Sequence, residues 1–85
     1  MMIHVSNLTY NITTDSLSAA FAAYGKVTAT TILKDPSAVP TIYYARVEMP
    51  NPAEAKQAID RLNGAILDGR FIAVQPYRAI QKATL

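Results

Sequence analysis

The sequence has 85 residues, with eight basic and six acidic side chains, a net charge of +2, one histidine and no cysteine. That is enough chain for one small domain, and it excludes disulfides, thiolate metal sites and cysteine catalysis. The lone His4 leaves no set of histidines for zinc, and no apolar run approaches a membrane span or a secretory leader, so a soluble cytoplasmic protein without membrane contact is expected.

Met2 to Asn7 alternates, with Ile3 and Val5 on one face and His4 on the other, and predicts a strand. Thr13 is a good N-cap, followed by Asp15 in the first turn, where a negative charge suits the helix dipole. Leu17, Phe21 and Tyr24 then recur at the spacing of one helical face among four alanines, and Gly25 is expected to stop this helix in the left-handed conformation. Val27 to Lys34 is rich in β-branched residues and predicts a second strand, broken by Asp35-Pro36-Ser37.

Ile42 to Met49 is the most informative stretch. Tyr43, Ala45, Val47 and Met49 fall on one face and suit a core, whereas Ile42, Tyr44, Arg46 and Glu48 fall on the other. A ring and a guanidinium thus stand side by side on a face that a planar, negatively charged ligand would suit. Asn51-Pro52 then opens a second helix, with Glu54 placed to complete a capping box. Ala55, Ala58, Ile59 and Leu62 are its inward stripe, and Asn63-Gly64 its end. Asp68-Gly69 predicts a turn, and Arg70 to Gln75 a last strand with Ile72 and Val74 inward. Residues 1–77 are read as one domain, and residues 78–85 as a short, partly helical tail. The expected core is Ile3, Val5, Leu17, Phe21, Val27, Ile32, Ala45, Val47, Ala55, Ile59, Leu62, Ile72 and Val74. Right-handed crossovers would put both helices on one side of a single sheet and leave the other side bare.

Five stretches carry a family resemblance. Ile3 to Leu8 follows a six-residue pattern of aliphatic, ring, aliphatic, any, Asn, Leu. Leu17, Phe21, Tyr24 and Gly25 fit Leu-x3-Phe-x2-Tyr-Gly, and Ile42 to Met49 aligns with an eight-residue strand motif. Ala55, Ala58, Ile59, Leu62, Asn63 and Gly64 fit Ala-x2-Ala-Ile-x2-Leu-Asn-Gly, and Gly69-Arg70 with Ile72 and Val74 fits a closing strand. In this order and spacing the chain resembles the RNA recognition motif family, and in particular its small single-domain bacterial members. The resemblance implies an α+β fold, the ferredoxin-like βαββαβ sandwich of four antiparallel strands with two helices on one face. It also implies a single-stranded RNA-binding module, single-stranded DNA being a second ligand of the same chemistry, with no cofactor, metal or small-molecule substrate.

The family stacks bases at the second position of the six-residue motif and at the third and fifth positions of the eight-residue one, here His4, Tyr44 and Arg46. Asn7, and Gln75, Tyr77 and Arg78 at the end of the last strand, complete the implied site. Only Tyr44 keeps a full aromatic match, while the basic and glycine positions that open the octamer are Ile42 and Tyr43. Weakening two stacks at about 1–2 kcal/mol each lowers affinity roughly 10- to 1000-fold, so weak to moderate binding is expected. The plainer reading of Arg46 is an exposed pair with Glu48 or with a neighbouring strand, which contributes about 0–1 kcal/mol. The rival function is a protein-interaction module that keeps the fold. An enzyme has little support, since the Asp residues sit in caps, turns or a solvated helix face.

Overall fold

A computed structural model describes residues 1–77; the expectations for Arg78 and for the tail lie outside the described residues. The elements run β1 (Met2–Leu8), α1 (Thr14–Ala22), β2 (Ala29–Asp35), β3 (Ile42–Glu48), α2 (Pro52–Leu62), β4 (Ile66–Leu67), β5 (Arg70–Phe71) and β6 (Ala73–Pro76). Four strands form one antiparallel sheet in the order β2-β3-β1-β6, and β4 and β5 form a separate two-stranded hairpin. This is the expected sandwich.

Both helix starts follow from local chemistry. The Thr13 side chain accepts the Ser16 N–H at 3.1 Å, and Asn51 Oδ1 accepts from Ala53 N at 2.9 Å and Glu54 N at 3.2 Å, each satisfying donors that an uncapped helix end leaves orphaned. The capping box is not closed as expected. Glu54 Oε1 instead accepts the Lys26 N–H at 3.2 Å, which ties the start of α2 to the loop after α1.

The same contact corrects the reading of Gly25. Among the described residues the positive φ values belong to Asn7, Gly64, Asp68 and Gly69, and α1 runs out at Ala23 in right-handed geometry. Gly25 is required for space: a Cβ there would run into the Glu54 side chain, including its Cβ. α2 ends at Asn63, whose ψ of 119° is extended, and Gly64, at φ 84°, takes the positive-φ place of the turn that Ala65 N–H closes on Leu62 O.

Two strand boundaries differ from expectation. β2 starts at Ala29 rather than Val27, because its partner β3 stops at Glu48: Ala29 faces Glu48, and Thr28 N–H donates to Glu48 O at 2.9 Å. The expected strand from Arg70 to Gln75 is two strands. Arg70 and Phe71 fold back on Leu67 and Ile66 around Asp68-Gly69, whose φ values of 52° and 82° suit a two-residue hairpin turn. Ile72 N–H donates to Ala65 O and its carbonyl accepts from Gly64 N–H, so the chain leaves the hairpin and joins the sheet only at Ala73.

The core lies between the helices and one face of the sheet. Ile3, Val5, Leu17, Phe21, Ala45, Val47, Ala55, Ile72 and Val74 are buried as expected, joined by Leu8, Ile12, Met49 and Ala58. Val27, Ile32, Ile59 and Leu62 are only half-buried around that centre. The reason for Ile32 is its place on the edge strand β2. In α2 the small Ala55 and Ala58 take the centre and leave the larger side chains at the rim. Tyr43 also packs half-buried against the core. At the far end, Asn63 Oδ1 accepts the Val74 N–H at 2.9 Å and joins α2 to β6.

Candidate functional site

The bare face of the sheet is built by strand alternation. With Ile3 and Val5 turned into the core, His4 must face outward, and the register does the rest. His4 lies opposite Arg46 on one side and Gln75 on the other, and Arg46 lies opposite Thr31. Thr31, Arg46, His4 and Gln75 therefore form one row across all four strands. Leu33 and Tyr44 pair in the next row.

Within this face the side chains meet in two places. The His4 and Tyr44 rings are 5.7 Å apart between centroids and tilted by 34°. The Arg46 guanidinium lies over the Tyr77 ring, 4.6 Å from its centroid, within the range of a cation–π contact. Tyr77 is itself held in the ladder by its N–H, which donates to Met2 O at 2.9 Å. The Glu48 carboxylate, the plainer partner for Arg46, instead accepts from the Thr28 hydroxyl. Burial, and secondarily the charge of Arg46, lower the His4 pKa from its ordinary 6.5. The imidazole is therefore neutral at neutral pH, and Arg46 supplies the positive charge of this row. Such a surface can stack planar groups and attract anionic ones.

The structure brings together His4, Tyr44, Arg46, Gln75 and Tyr77, with Gln75 exposed beside His4. Asn7 stands apart. It takes a φ of 63° where the β1–β3 register shifts, and its Nδ2 donates to Phe71 O, so it ties the end of β1 to the hairpin. Thr31, opposite Arg46, was not singled out from the sequence. Its alternation was visible, but its neighbours depend on the sheet register. Arg70 was read only as part of a strand pattern, and it donates to Leu8 O at 3.3 Å at the same end of β1. Among the described residues no three His, Asp or Glu side chains gather as metal ligands, and no helix is long and apolar enough to cross a membrane.

A βαββαβ sandwich carrying rings and a guanidinium across its uncovered sheet face defines a class of small binding module. The chain belongs to the RNA recognition motif family, whose model matches residues 3–73. It is 40% identical over 74 residues to RbpA of Nostoc sp., whose name provisionally assigns it RNA binding; the match covers 87% of this chain and 72% of that protein. It is also 40% identical over 72 residues to glycine-rich RNA-binding protein 1 of Mycosarcoma maydis, covering 85% of this chain but only 41% of that longer protein. The crystal structure of RNA-binding protein PG1 superimposes with a TM-score of 0.79 at 28% identity, covering 91% of this chain and 93% of that one.

Proposed function

We propose that residues 1–77 are a binding module for single-stranded RNA, of weak to moderate affinity, acting in the cytoplasm. The strand crosses the open sheet face, stacking on Tyr44 and His4 and meeting Arg46, with Gln75 and Tyr77 at the β6 side. Single-stranded DNA is a second ligand of the same chemistry. The observation that carries the reading is the tilted His4–Tyr44 pair beside Arg46 on a face that no helix covers. The RNA-binding names of its relatives agree with it. Asn7 and Arg78 belong to this proposal as flanking contacts, although Asn7 already serves the hairpin.

The expected affinity is micromolar or weaker, since one full aromatic position of three remains. About two or three phosphate contacts, at roughly −0.7 each in the log–log salt slope, give a shallow salt dependence. NMR titration with short randomised single-stranded RNAs tests the proposal. Amides of His4, Tyr44, Arg46 and Gln75 should shift together as RNA is added. An unmoved sheet face at millimolar RNA overturns the reading, and perturbations confined to the helices indicate a protein-interaction module instead.

A further inference from the structure

We infer that Tyr77 takes the place of the ring missing at position 46: it seats the Arg46 guanidinium across β1, and the two together form a third base-stacking surface. This rests on the single-strand RNA reading above.

The strand order β3-β1-β6 puts a whole strand between the backbones of Arg46 and Tyr77. The Arg46 and Tyr77 side chains therefore meet over β1, with the guanidinium carbon 4.6 Å from the ring centroid. Tyr77 is fixed at the other end, because its N–H extends the β1–β6 ladder by donating to Met2 O at 2.9 Å. Two further observations identify the ring as what holds the guanidinium. Arg46 Nε is shielded from solvent with no hydrogen-bond partner among the described residues. The nearest carboxylate on the same strand, Glu48, is turned to the Thr28 hydroxyl.

A guanidinium seated on an aromatic ring keeps its opposite face for another planar group, and its charge attracts the electron-rich face of a nucleobase. The result is a base–guanidinium–tyrosine stack beside the His4–Tyr44 pair. The platform keeps three stacking places although the sequence motif has lost two of its three aromatics. Arg46 would touch the base, and Tyr77 would act chiefly as the positioning residue.

The test is a double-mutant cycle read as affinity for short randomised single-stranded RNAs, with unfolding midpoints measured alongside. Tyr77→Leu keeps bulk without a π face, Tyr77→Phe keeps the face, and Arg46→Ala removes the cation. Arg46→Ala and Tyr77→Leu should each weaken binding about fivefold, and the double variant little further than either alone. Tyr77→Phe should bind like the unaltered chain. A ring that only stabilised the fold would move the midpoints without producing this coupling in affinity. Additive losses, or full affinity in Tyr77→Leu, overturn the inference while leaving the wider RNA reading intact. Tighter binding by Tyr77→Leu would also overturn it, by making the ring a cover over Arg46. If the unaltered chain gives no shift at His4 and Tyr44, both readings fall together.

Discussion

His4 and Arg46 face each other directly across β1 and β3, and this position lowers the pKa of the imidazole from its ordinary 6.5. Burial opposes protonation of His4 most, and the neighbouring cation opposes it further. Its ring contact is Tyr44 and its partners across the ladders are Arg46 and Gln75, none of them a carboxylate.

Stability should therefore depend on pH through this residue. The folded-state pKa lies below the unfolded value of 6.5, so the unfolded chain binds the proton more readily. The contribution is fully present above that value and is lost as pH falls through it toward the folded pKa. Urea unfolding between about pH 7.5 and pH 5.5 should show a falling midpoint, and His4→Gln should flatten the fall. The same slope in the variant would mean that another group titrates in this window.

Gly25→Ala should destabilise the fold by about 1–3 kcal/mol through overpacking. The added Cβ meets Glu54 at its own Cβ as well as its carboxylate, so rotating the carboxylate away does not relieve the clash. The cost should consequently persist on a Glu54→Ala background, where the capped start of α2 still has to shift. Denaturant midpoints of the four proteins decide this. A cost that vanishes with the carboxylate would place the conflict at the tip of a flexible side chain.

His4→Tyr should strengthen RNA binding. The position is outward-facing and half-buried in the middle row of the sheet, so a larger ring needs no room in the core. Added stacking of about 1 kcal/mol corresponds to roughly fivefold tighter binding. Tyr44→Ala in the same variant should remove most of the gain, because the two rings would no longer share a surface. Weaker binding by His4→Tyr would make the imidazole a specific contact rather than a reduced ring.

Much of this was legible in the sequence, for local reasons. Strand alternation separates Ile3 and Val5 from His4, and Ala45 and Val47 from Tyr44 and Arg46, without knowledge of any neighbour. Thr13 and Asn51 cap the helices they precede. The hairpin was missed although Asp68-Gly69 was read as its turn, because two-residue strands are too short for alternation to register. Contacts between distant segments were hidden altogether. Gly25 looked like a helix stop because Glu54, which forbids a side chain there, is far away in the sequence. The seat of Arg46 on Tyr77 was hidden because only the crosswise strand order brings that ring within its reach.

That strand order also dictates when the sheet can be completed. β1, the first strand of the fold in chain order, lies between β3 and β6, and Val5 pairs with Val74. One side of this inner strand therefore stays unpaired until almost the whole domain has left the ribosome, and closing so distant a pair costs more chain entropy than forming the hairpin or either helix. A nascent chain halted after α2 would present the bare backbone edge of β1 beside Ile3 and Val5, the kind of surface on which chaperones and premature self-association compete.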